Sequence, residues 1–157
     1  MTRDRPPASF LVVLDGTDEA RKALRFAAHR ALHTGGHVKL MHVLERVQFQ
    51  QWSGVQEALE AEAEDEARAT LAVDAAEVEA ILGMAPALRI RRGDPLAEIL
   101  AELNEDRSIR ALVLGAAAKG RPGPLIAHFA GEQAGHLPCI VMIIPGGISD
   151  EELERLT

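Results

Sequence analysis

The sequence predicts a doubly wound α/β domain. Three observations lead there. Short apolar runs alternate with stretches of helical periodicity along the chain. Most of those runs are apolar at every position, as expected of strands covered on both faces. The length of 157 residues, 47% of them hydrophobic, suits one domain with a sizeable core. Aromatics make up only 3%, so Leu, Ile, Val and Ala must fill that core.

FLVVL (10–14) is the first strand and ends in Asp15. Thr17 or Asp18 caps the helix that follows, because a short side-chain oxygen accepts from orphan backbone N–H groups. Ala20, Leu24, Ala27, Ala28 and Ala31 form its apolar stripe, and Gly35-Gly36 ends it. HVKLMHVL (37–44) is the second strand; strand, helix, strand implies parallel pairing. Residues 45–56 are irregular, and Trp52 among them suits packing or a dimer contact.

Residues 56–82 are strongly helical in composition, with Leu59, Ala63, Ala67, Leu71, Val78 and Leu82 able to share a face. The acidic run from Glu60 to Glu66 reads as a solvated face of that helix. ALRIRRG (87–93) is a third strand, expected to be exposed because it carries three arginines. Asp94 and Pro95 mark the start of a helix over 93–107, as N-cap and first helical residue. IRALVLG (109–115) is the fourth strand. A weaker helix spans 123–137, interrupted by Gly131 and Gly135, and CIVMII (139–144) is the fifth strand. The domain thus covers 9–145, and the tail 146–157 adds a short helix begun by Ser149 or Asp150.

Composition excludes several functions. A net charge of −7 argues against general nucleic-acid affinity, which needs a basic surface. No apolar run reaches the roughly 20 residues that span a bilayer. The N-terminus, MTRDRPPASF, runs straight into a strand pattern without a signal-peptide cleavage region, so a cytoplasmic location is expected. Cys139 is the single cysteine, which excludes an intrachain disulfide and suits a packed thiol. The histidines share no metal-ligand spacing with carboxylates, so no metal site is expected.

In doubly wound sheets a ligand sits beyond the strand C-termini, where the chain order reverses. If the first and fourth strands are neighbours, Asp15-Gly16 and the 115–123 loop face one another there. Backbone N–H groups around Gly115, Gly120 and Gly123 could hold phosphates, with Lys119 and Arg121 adding positive charge. Asp15 could accept from a base amine or sugar hydroxyl. The plainer alternatives are that Asp15 caps a turn and that the glycine loop is a connector. GAAAKGR is not a Walker A loop, since Arg121 and Pro122 stand where Lys and Ser or Thr would be needed. No GxGxxG follows the first strand.

With these residues in place, the chain resembles the universal stress protein family over about residues 9–145. The likeness is carried by FLVVLDGTDEARKAL, HVKLMHVLE, RRGDPLAEIL, ALVLG and LPCIVMIIP. The resemblance implies a five-stranded parallel sheet in the order 3-2-1-4-5 and homodimers, often paired through the last strand. It implies, in the members that bind ATP, adenosine contacts from the Asp15 position and from a backbone group near Val43. Their loop reads G-x2-G-x9-G-[ST]. Gly115 fits its first glycine, but Ala118 replaces the second, and the last pair falls near Ala127-His128 or His128-Phe129. His128 therefore stands either on a helix face or in the pocket wall, and ATP affinity is expected to be weakened or changed.

The expected function is a cytoplasmic stress-response module that binds ATP or another adenine nucleotide, with magnesium a possible companion, through Asp15, Gly16, Val43, Gly115, Lys119, Gly120, Arg121, Gly123 and His128. No nucleophile–base pair is legible, so at most weak ATP hydrolysis is expected. The alternative is a homodimeric interaction protein of the same fold without nucleotide binding. In either case the apolar last strand, Cys139 to Ile144, is expected to pair with its copy. An adenylating or photolyase-like enzyme usually needs extra substrate-binding segments, and 157 residues with one modest irregular region are not expected to supply them.

Overall fold

A computed structural model describes residues 6–46 and 53–157, with helix side chains from Gly54 onward. Its strands are β1 (Ser9–Val13), β2 (His37–Leu44), β3 (Ala87–Arg92), β4 (Ile109–Ala116) and β5 (Ile140–Pro145). They form one sheet in the order β3-β2-β1-β4-β5, every pair parallel. The expected fold class and strand order are both present. Trp52 lies outside the described residues.

Helices α1 (Asp18–Thr34) and α2 (Ser53–Leu82) cover one face, joined there by α5 (Asp150–Leu156). Helices α3 (Pro95–Glu105) and α4 (Pro124–Ala127) cover the other, followed by a π-helical turn, His128–Glu132. The chain therefore changes face between β3 and β4, and the switch opens where β1 adjoins β4. Phe10, Val12 and Leu14 point to the α1 side, while Leu11 and Val13 point to the α3 side. This two-sided burial is why β1 is apolar at every position.

The helix ends follow local chemistry. Thr17 caps α1, its Oγ1 accepting from Ala20 N at 3.3 Å, and Gly35 closes the helix in the left-handed conformation. Asp94 caps α3 through Ala97 N, with Pro95 behind it. Ser149 caps α5 through Glu152 N. The tail then docks on α1: Leu153 is buried, Arg25 pairs with Asp150 at 2.8 Å, and Lys22 donates to Ile148 O.

Three expectations need correction. The helix over 123–137 is one turn of α-helix and a π-helical turn, followed by turns through 136. Gly131 and Gly135 give no helical support there, and the fully buried Phe129 anchors the segment instead. Leu59 leaves the core face of α2: it is 40% exposed, whereas Ala67, Leu71 and Val78 are buried. The arginines of β3 are not simply exposed. Arg91 keeps only 12% of its side-chain surface, because it reaches the carboxylates of α3.

Those contacts centre on Glu102, which is 3% exposed. Its carboxylate accepts from Arg89 Nε at 3.0 Å and Arg91 Nε at 2.7 Å, and it pairs with Lys39. Burial alone would raise the Glu102 carboxyl, but the bonds from Lys39, Arg91 and Arg89 outweigh it and hold the group below its ordinary range.

Candidate functional site

Past the end of β1 the chain turns through Asp15, Gly16 and Thr17 into α1. Gly16 has φ 82°, a conformation that suits glycine. Asp15 Oδ1 accepts from Thr17 N at 3.1 Å and from Thr17 Oγ1 at 2.6 Å. Thr17 in turn holds the amide of Ala20 in the first turn of α1. Asp15 therefore does cap its own turn. It is also exposed, and its Oδ2 has no hydrogen-bond partner among the described residues.

This turn forms one wall of a cavity of about 560 Å³. His42 and Leu44 of β2 form its floor, and Ala63, Glu66, Ala67 and Thr70 of α2 form the opposite wall. His42 Nδ1 donates to Leu14 O at 2.7 Å, which fixes the ring's orientation. Arg21 and Asp74 close the far end. Arg21 is bound to Glu77 at 3.1 Å. Burial pushes the Asp74 carboxyl above its ordinary range, against the pull of Arg21.

Val43 lies between two lining residues, with its side chain packed on the opposite face of the sheet. Leu14 N donates to Met41 O at 2.8 Å, so alternation aims the main chain of Val43 toward β1 as well, just past Leu14.

The other expected residues lie elsewhere. Gly115, at the end of β4, is pressed against the first turn of α1: a Cβ built there would sit 2.1 Å from Glu19 O. Lys119, Gly120 and Arg121 are exposed in the loop after β4, and Gly123 precedes α4 with φ 100°. His128 opens the π-helical turn, its ring edge-on to Phe129 at 5.0 Å. None of these lines the cavity beside Asp15 and Gly16. The cavity beside Asp15 opens toward β2 and α2. Thr17, Arg21, His42, Glu66, Thr70 and Asp74 are the polar lining residues that sequence reasoning missed. Periodicity shows that α2 has an inner face, but not which strand ends that face overlooks.

The universal stress protein family model matches residues 8–145. This chain belongs to the universal stress protein family. Solved structures show the same fold. Universal stress protein UspA from Lactobacillus plantarum is 20% identical with a TM-score of 0.71, the match covering 90% of this chain and 99% of that one. A universal stress protein from Archaeoglobus fulgidus in complex with dAMP is 21% identical, TM-score 0.61, covering 87% and 97%. A universal stress protein in complex with cAMP is 14% identical, TM-score 0.57, covering 91% and 100%. Comparison of the sequence with curated proteins gives no match. Among the described residues of this universal stress protein, no helix is long and apolar enough to cross a membrane.

Proposed function

We propose that this universal stress protein is a cytoplasmic stress-response regulator that binds an adenine nucleotide, ATP included, without strong catalysis. The observation that carries this reading is the open cavity of about 560 Å³ at the C-terminal ends of β1 and β2, with Asp15 and His42 at its rim. Its volume lies in the range of small-ligand sites. It lies beyond the C-terminal ends of parallel strands, the side of a doubly wound sheet on which ligands are held, toward β2 from the β1–β4 switch. The complexes of two structural neighbours with dAMP and cAMP support the choice of ligand class.

Isothermal titration calorimetry with ATP, with and without magnesium, on nucleotide-free protein tests the reading. Micromolar binding is expected, weakened about tenfold or more in Asp15→Ala, since a lost charged hydrogen bond is worth about 1.5–3 kcal/mol. No heat up to millimolar ATP would favour the second reading, a dimeric interaction protein with no nucleotide. That reading draws on the close packing of Gly115 against Glu19, which narrows the β4 side of the site.

Under both readings we propose a homodimer through β5. It is an edge strand of the sheet, and Ile140 and Ile143 on it are 59% and 42% exposed. Pairing with a second copy under twofold symmetry would satisfy the edge and cover both side chains. Light scattering is expected to give a dimer mass for the wild type and a monomer mass for Ile143→Lys. A monomeric wild type at micromolar concentration would refute the dimer.

A further inference from the structure

The two edges of the sheet differ in chemistry. β5 is apolar, whereas β3, at the other edge, reads ALRIRR. Gly93 N donates to Leu44 O at 2.9 Å, so alternation turns the N–H and C=O groups of Arg89 and Arg91 toward β2. Those of Leu88, Ile90 and Arg92 face the open edge, and no described residue bonds to them. The side chains alternate as well. Arg89 and Arg91 lie on the α3 side, against Glu102. Leu88 and Ile90 lie on the α2 side, beside a hollow of about 170 Å³ that Arg68, Leu71 and Arg89 also line. That is room for one aliphatic side chain, and Leu88 at its rim is 48% exposed.

An unpaired edge is a template for a further strand. A second copy of β3 does not suit this one, because pairing two such strands sets arginines beside arginines and like charges across a strand pair repel. A segment of opposite charge does. Arg91 and Arg92 are already occupied, by α3 carboxylates and by Glu60 O. Arg89 is 45% exposed and bonds Glu102 through Nε, and Arg68 is 66% exposed and bonds Glu64 through one terminal nitrogen. Their other N–H groups have no hydrogen-bond partner among the described residues. We propose that the β3 edge takes up an extended segment of a partner protein in which acidic and apolar residues alternate. The segment's backbone pairs with Leu88, Ile90 and Arg92. Its apolar side chains turn to the α2 side, where one fills the hollow, and its carboxylates turn to the α3 side, within reach of Arg89. Arg68, bordering the hollow, adds to the attraction. The β5 dimer proposed above leaves this surface open, since β3 is at the opposite edge.

The test is an NMR titration of the isotope-labelled full chain with a short capped peptide in which glutamate alternates with valine. The amides of Leu88, Ile90 and Arg92 are expected to shift, and to exchange with solvent about tenfold or more slowly once paired. No change at these amides up to millimolar peptide would overturn the proposal. The same peptide with lysine in place of glutamate is expected to bind about tenfold or more weakly, and equal binding would overturn the charge match. Arg68→Glu is expected to weaken the glutamate peptide about threefold or more, and unchanged affinity would remove Arg68 from the surface. Leu88→Pro deletes one outward N–H, a change that edge strands tolerate, while Leu88→Ala keeps it. The Pro variant is expected to bind about tenfold more weakly than the Ala variant. Equal affinities would overturn pairing through the backbone.

Discussion

Glu102→Ala is expected to destabilise the fold by about 3 kcal/mol, because it removes one partner of a buried ion cluster and strands the others. Lys39 and Arg91 keep 16% and 12% of their side-chain surface, so water cannot fully replace the lost carboxylate. Arg89 is 45% exposed and can turn to solvent, which keeps the expected loss near the lower end of such measurements. For a domain of this size the melting temperature should fall by about 6–12 °C. Glu102→Gln retains acceptor geometry but not charge and should fall between the two. A thermal melt followed by circular dichroism reads all three. An Ala variant that melts with the wild type would show that the cluster does not hold α3 to the sheet.

The same cluster sets an acid limb. Asp106 sits below its ordinary range as Glu102 does: burial would raise it, but bonds from Ser108 and Lys39 prevail. A carboxylate with a depressed folded pKa contributes stability that is fully present above its unfolded value, about 4. That contribution is lost as pH falls from there through the folded value. Lys39 is raised, its burial outweighed by Glu102 and Asp106, so its contribution persists through acid and neutral pH and is lost only as pH rises past its folded pKa. Asp74 has the opposite sign to Glu102, so its protonation offsets a part of the acid loss. The wild type should therefore lose stability below about pH 4, and Glu102→Ala should show a flatter acid limb.

The punctuation of the fold is legible in the chain because it is local. Asp94-Pro95 and Gly35 each act within one helical turn, and the structure places the caps where those residues stand. Glu102 is different. In PLAEILAELNE it occupies an ordinary polar position between Ile99 and Leu103. Only the packing of α3 across β2 and β3 brings Lys39, Arg89 and Arg91 to it. The three arginines of β3 suggested exposure for the same reason: Arg89 and Arg91 meet Glu102 of α3, 13 and 11 residues on, and Arg92 meets Glu60 O of α2, 32 residues back. The candidate site divides likewise. Asp15-Gly16 follows from a strand that ends in a turn, and the structure puts both in the cavity. The α2 wall depends on how a long helix overlooks two strand ends, which hydrophobic periodicity does not encode.

Gly115 makes the sharpest contrast between a loop motif and a packing contact. Read as sequence, it opens a glycine loop suited to phosphate. In the fold, its Cα faces the backbone of α1, and an added Cβ would lie 2.1 Å from Glu19 O and 2.3 Å from Glu19 C. These are backbone atoms in a capped helix, so no rotamer can relieve the clash. Gly115→Ala is expected to destabilise by about 3 kcal/mol, the upper part of the usual overpacking range. It must also displace the first turn of α1, and with it the Thr17 cap and the Asp15 turn at the cavity rim, so nucleotide affinity should fall with stability. Gly120→Ala is the matched control. Nothing lies within 4 Å of a Cβ there, and only its φ of 76° is strained, which costs about 1 kcal/mol. Paired melts separate the two roles. A far larger drop for Gly115→Ala means the glycine is there so that α1 can touch β4. Equal, small drops with a selective loss of ATP affinity would return Gly115 to the phosphate loop that its sequence suggests.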